Sequence, residues 1–97
     1  MQDTLEQKAI QEMIKLADSK NKVTALCRGN DPEESNHIVF YFLIEDRFDE
    51  EFSDQLSDLD LRIANEIGYQ CDLMEWPCSV EKINEHPFLG KCIWKRG

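Results

Sequence analysis

The sequence is short of positive charge. Of its 97 residues 11 are Lys or Arg, against 20 Asp or Glu, a formal net charge of −9. A nucleic-acid coat protein neutralises phosphates with clustered cations, and adhesion to an anionic membrane needs the same clusters, so the balance argues against both. Long apolar runs are also missing. The longest, Ile38 to Ile44, is seven residues, where a membrane span needs about 20. The four cysteines, Cys27, Cys71, Cys78 and Cys92, stand at spacings of 44, 7 and 14, with no C-x2-C pair of the kind that marks zinc or redox sites. Two readings stay open: a metal set from Cys71, Cys78, His86 and Cys92, or small buried hydrophobes in a reducing compartment. Only three prolines and four glycines punctuate the chain, and no repeat or low-complexity linker divides it. The N-terminal Met1-Gln2-Asp3-Thr4 has no basic leader-like region. These features imply one domain over residues 1–97 and a cytoplasmic protein. A domain of this size buries roughly 65% of its unfolded surface.

What is present is clear periodicity. Leu5, Ala9, Ile10, Met13, Ile14 and Ala17 recur at threes and fours, which predicts a helix over about 3–19 capped by Asp3 or Thr4, with Glu6 or Gln7 placed for a capping box. Val23 to Arg28 reads as a short strand and 29–36 as a turn. His37 to Glu45 is the strongest strand, β-branched and aromatic without alternation, so it belongs in the middle of a sheet covered on both faces. Phe48, Phe52, Leu56, Leu59, Ile63 and Ile67 form a helical stripe over about 49–67, with Gly68 as its left-handed cap. Tyr69 to Trp76 reads as a third strand ended by Pro77. A short helix runs from a Ser79 cap through Glu85, and Leu89 to Lys95 holds a last short strand. The predicted class is α+β in the order α-β-β-α-β-α-β. Three to four strands form a small mixed sheet with helices packed on it.

One motif misleads. Ser57-Asp58-Leu59-Asp60-Leu61 has the S-D-x-D spelling of a Mg²⁺ site, but such a pair converges only on a strand, where i and i+2 share a face. Here it falls inside the helical stripe, where i and i+2 diverge by about 200°. Neither His37 nor His86 has a local Cys or Ser partner for nucleophilic catalysis. The strongest anomaly is charge. Residues 45–60 hold eight acids and one base, a net of −7, leaving −2 for the other 81 residues. The acids at a helix N-terminus suit its dipole, and the rest serve either solubility or docking of a basic partner, with Asp49, Glu50, Asp54 and Asp58 as the candidate surface. Lys91, Lys95 and Arg96 around Trp94 read equally as a partner contact or as an edge strand guarded by cations.

The element order and several local words resemble the minimal nucleotidyltransferases of the DNA polymerase beta-like superfamily, many of which are antitoxins paired with HEPN-family toxins. Cys27-Arg28-Gly29 looks like the end of their G-S-x-A-R-G loop. Ser35-Asn36-His37-Ile38 falls where S-D-x-D stands. Cys71-Asp72-Leu73-Met74 looks like the third-strand word, and Glu85-His86-Pro87-Phe88-Leu89 through Arg96 is similar to the closing segment. The resemblance implies a nucleotidyltransferase-like fold with altered chemistry. Its Gly-Ser pair falls on Thr24 and Ala25. Its two metal-binding aspartates fall on Asn36 and Ile38, or on His37 and Val39 if the loop is one residue longer. Only Asp72 keeps a family carboxylate.

Mg²⁺ needs hard anionic oxygens and a two-metal site needs several. The expectation is therefore an inactive scaffold without metal or cofactor, acting on a protein partner with a basic surface, antitoxin-like or regulatory. It contacts no nucleic acid directly and no membrane, and a homo-oligomer stays open. Arg28 and Gly29 remain candidates for phosphate binding, with a plain strand end as the other reading. The rival function is a divergent nucleotidyltransferase using Mg²⁺ and an NTP, with Asp72 joined by Glu45 or Asp46. A nucleic-acid mimic is the third reading.

Overall fold

The apolar stripes organise two layers and part of a third. The computed structural model describes residues 2–34, 36–45 and 47–96, with the side chains of Gln2 and Asp3 outside that description. Helix α1 spans Gln2–Ser19 and is followed by strands β1, Val23–Asn30, and β2, Ile38–Ile44. Helix α2, Glu50–Arg62, runs into a π-helical turn, Ile63–Ile67. Strand β3, Asp72–Pro77, follows, then two 3₁₀ turns, Val80–Glu85 and Pro87–Leu89, and strand β4, Lys91–Lys95. The sheet order is β3-β2-β1-β4. β1 is antiparallel to both β2 and β4, whereas β2 and β3 are parallel. A parallel pair needs a crossover, and α2 supplies it. The α+β class, the mixed sheet and the central place of β2 agree with the sequence.

The two faces of the sheet are covered unequally. On one, Ala9, Met13 and Ala17 of α1 and Phe52, Leu56, Leu59 and Ile63 pack on Val23, Leu26, Phe40, Phe42 and Ile44. On the other, Ala25, Cys27, Val39, Tyr41 and Leu43 are roofed by Cys78, Leu89 and the half-buried Trp76, Val80, Ile83 and Phe88 from the 3₁₀ segment. Tyr41, Trp76 and Phe88 meet edge to face with centroids 5.0–6.0 Å apart.

Several boundaries differ from the sequence reading. α1 already runs at Gln2, so Thr4 lies in its interior rather than at its cap, and the Asp3 side chain is outside the described residues. The cap of α1 that is seen is at its other end. Arg96 donates to the carbonyls of Ala17 at 2.7 Å, Lys20 at 2.8 Å and Val23 at 2.9 Å, a cation on a helix C-terminus. The same guanidinium lies over the Trp94 ring. The last turn of the predicted 49–67 helix is π-wound because the Gly68 N–H reaches back to Ile63, and Gly68 takes the expected left-handed conformation, φ 84°. The Ser79 helix is 3₁₀ rather than α, with the Ser79 hydroxyl accepting from the Glu81 N–H at 3.3 Å.

The largest correction is β1. It extends to Asn30 instead of yielding to a turn at Gly29, because Gly29 pairs with Val39. A Cβ at Gly29 would lie 2.0 Å from the Phe88 carbonyl oxygen. Only the bare backbone of glycine lets the Phe88-Leu89 segment cross there.

Candidate functional site

Strand alternation sorts the candidate residues. His37, Val39, Tyr41 and Leu43 project to the 3₁₀-covered face, while Ile38, Phe40 and Phe42 project to the helices. Asp72 stands in register with Val39 across the parallel β2–β3 pair. Of the two alignments the resemblance allows, the one that places all three positions on a common face is therefore His37, Val39 and Asp72. Asn36 is exposed and Ile38 packs under the helices.

Of these three positions only Asp72 is a carboxylate; Asp31 and Glu34 stand near enough to His37, and Asp60 to Asp72, to act on them by charge. Asp72 meets His37 Nε2 at 2.5 Å, and Val39 beside it is 1% exposed. The hydrogen bond to Asp72, then its charge, raises the His37 imidazole above its ordinary pKa. The donor set is one carboxylate engaged by an imidazole and one buried isopropyl group, which does not fit a hard divalent cation. Among the described residues no three His, Cys, Asp or Glu side chains converge as a metal-binding set.

The loop words of the resemblance are strand. Thr24 to Gly29 lie wholly within β1, where Ala25 to Gly29 pair with β2 and Ala25 to Arg28 with β4. Ala25 is buried. Arg28 turns to the helical face, where its guanidinium bonds Glu6 of α1. Gly29 faces the opposite way, under Phe88 and Leu89. The two candidate phosphate binders thus sit on opposite faces and form no common cradle.

The other acids of the rival reading lie apart. Val39 is level with Asp72 and Ile44 with Pro77, so Glu45 lies about 20 Å along the strand from the corner. Asp46 falls outside the described residues. The S-D-x-D spelling lies on α2 as its spacing predicts, and its two carboxylates separate. Asp58 is exposed. Asp60 is half-buried, and burial, with Asp72 adding to it, pushes its carboxyl up.

The cysteines divide between the faces, Cys71 in the helical core and Cys27 and Cys78 in the other. Burial pushes the Cys27 and Cys71 thiols up to about 12, so both stay protonated near neutral pH, unsuited to nucleophilic or ligand chemistry. His86 meets Trp76 edge to face and Phe88 at a tilt.

The acidic segment has structural and exposed members. Asp49 is the cap of α2, accepting from the Glu51 N–H at 2.9 Å and the Phe52 N–H at 3.2 Å and pairing with Lys22. The Lys22 ammonium and these amides hold its carboxyl below the usual range. Glu50, Asp54 and Asp58 are exposed. Sequence reasoning undervalued Glu75. It is 3% exposed, takes the Ser53 hydroxyl and the Asp49 N–H, and ties β3 to the start of α2. Its place in the alternation with Cys71 and Leu73 was the available signal. Beside it a groove of about 250 Å³ opens between α2 and β3, lined by Phe48, Ser53, Leu56, Ser57, Leu73, Met74 and Glu75.

No helix among the described residues is long and apolar enough to cross a membrane. No protein-family model and no curated protein matches the chain. Among solved structures it is similar to a chain from the complex of the tri-AMPylated HEPN toxin of Shewanella oneidensis with MNT antitoxin. The match has 21% identity and a TM-score of 0.56, and covers 99% of this chain and 74% of the other. The fold is thus a small nucleotidyltransferase-like α+β fold, similar in architecture to that chain.

Proposed function

We propose that this chain is a catalytically silent nucleotidyltransferase-like protein that works by binding a protein partner with a basic surface, as an antitoxin does. The observation that carries the first half is the corner itself. His37, Val39 and Asp72 stand where the resemblance puts three carboxylates, and they supply one, bound to an imidazole. The crossing of Phe88 and Leu89 over Gly29 supports the same reading, since that backbone occupies the space a phosphate would need. The second half is supported by the concentration of −7 in residues 45–60 and by the exposure of Glu50, Asp54 and Asp58. It is supported also by the likeness in fold to a structure of a toxin with its antitoxin. Clustered surface charge speeds association with an oppositely charged partner.

The test is a titration with Mg²⁺ and each NTP, read by amide shifts over residues 24–38 and at Asp72. Silence is expected, and saturable shifts would contradict the reading. Reversing Asp54 and Asp58 to Lys is expected to slow binding of an identified partner and to leave folding intact.

A further inference from the structure

The two edges of the sheet are finished differently. β4 carries Lys91 and Lys95 and is followed by Arg96, whose side chain is tied to α1. Flanking cations of this kind keep other strands away. β3 has no such guard. It pairs with β2 alone among the described strands, leaving its outer side open from Asp72 until Pro77, which lacks an N–H. Beside that open edge lie the least buried large apolar side chains of this region, Phe48 at 61% and Met74 at 41% exposure. They belong to the groove that continues onto Leu56 and Leu73. The helix beside the groove is acidic. Glu50, Asp54 and Asp58 recur every fourth residue on the exposed side of α2, about 100° round the helix from the groove-lining Ser53 and Ser57, and the exposed Asp72 begins β3.

We infer that the β3 edge and its groove receive an extended, basic segment of a partner protein, which adds to the sheet as a fifth strand. The inference rests on the partner-binding reading and names the surface and the chemistry. An added strand lies about 4.8 Å from β3 and alternates its side chains. One set, apolar, meets the groove at Phe48, Leu56 and Leu73; the other, cationic, lies on the opposite face beside Asp72 and Met74, while the field of the exposed acids of α2 draws the segment in. Charge decides against a second copy as the occupant. It would bring the same acidic helix and a net −9 against this one, and like charges across an interface are repelled.

The probe is the capped peptide Lys-Val-Lys-Leu-Lys-Val-Lys added to the full chain, followed by amide shifts and hydrogen exchange. Two controls accompany it, the same peptide with Glu for Lys and one N-methylated at every residue, which has no N–H to donate to a ladder on either edge. The expected result is saturable shifts at residues 72–76 and at Phe48, slowed exchange along β3, and no binding by either control. Phe48→Lys and Met74→Lys, both at exposed positions, are each expected to weaken binding about tenfold or more, as loss of an apolar anchor does. Silence at β3, shifts confined to other elements, or unchanged affinity in both variants would overturn the inference. Shifts at 72–76 that grow with protein concentration without peptide would overturn it in favour of a second copy. Mg²⁺ and NTP are titrated into the same sample. Shifts at His37 and Val39 would overturn catalytic silence and leave the edge assignment standing. Silence at β3 together with silence at the corner would remove only the edge assignment.

Discussion

One face of the sheet is held by two helices, the other by two short 3₁₀ turns. The helical face buries large rings and branched chains, Phe40, Phe42, Ile44, Phe52 and Met13, against one another. The opposite face buries Tyr41, Leu43 and Leu89 beside the smaller Ala25, Cys27, Val39 and Cys78, and is closed by backbone crossing backbone at Gly29 and Gly90. The first face carries most of the apolar burial that drives folding. The second is where the resemblance would place phosphate and metal chemistry; there backbone crosses backbone at Gly29, while His37 and Asp72 stay part-exposed at the corner. On the proposed reading the scaffold is kept and that chemistry is lost.

The sharpest way to test that contrast is to damage each face in its own manner. Phe42→Ala removes a fully buried ring from the helical face, where cavity formation costs about 3–5 kcal/mol. Chemical denaturation should show the drop in stability. Gly29→Ala adds one carbon to the opposite face. With the Phe88 and Leu89 backbone atoms 2.0–2.6 Å from that carbon, the expected loss is about 3 kcal/mol, from overpacking rather than a cavity. If Gly29→Ala proves neutral, the second face is not closed as described. Arg96→Ala should cost less, about 1–2 kcal/mol, since it removes charge-assisted bonds to carbonyls at the end of α1. Faster amide exchange around Ala17 to Lys20 is the local readout.

The smallest expected effect lies at the corner. The Asp72 contact raises the His37 pKa in the folded chain. Protonation therefore stabilises the native state, in full below the unfolded value of about 6.5, and the contribution is lost as pH rises through the folded value. In Asp72→Asn the His37 midpoint, followed by NMR, should fall back toward its ordinary position. An unchanged midpoint would mean that the pair does not exist in solution.

Much of this architecture could be read locally. The Phe52-Leu56-Leu59-Ile63 stripe, the unbroken apolar β2 and Gly68 each announce themselves within a few residues. The length of β1 could not be read in this way. Gly29 looks like turn chemistry beside Asn30 and Asp31, and only its pairing with Val39 and the return of Phe88-Leu89 from the far end of the chain make it strand. The same holds for the corner. His37 and Asp72 are 35 residues apart, and the choice between two alignments depends on loop length, which composition does not set. Face alternation in the folded sheet decides it. Arg96, placed by sequence among surface cations, has its role at α1 for the equally non-local reason that β4 lies beside β1.

On the proposed reading the corner does not hold divalent ions. Crystals soaked in Mn²⁺ with a nucleotide triphosphate provide the most direct measurement, through anomalous scattering around His37, Val39 and Asp72. No manganese peak is expected there. A peak coordinated by Asp72 with nucleotide phosphates beside Val39 would contradict it.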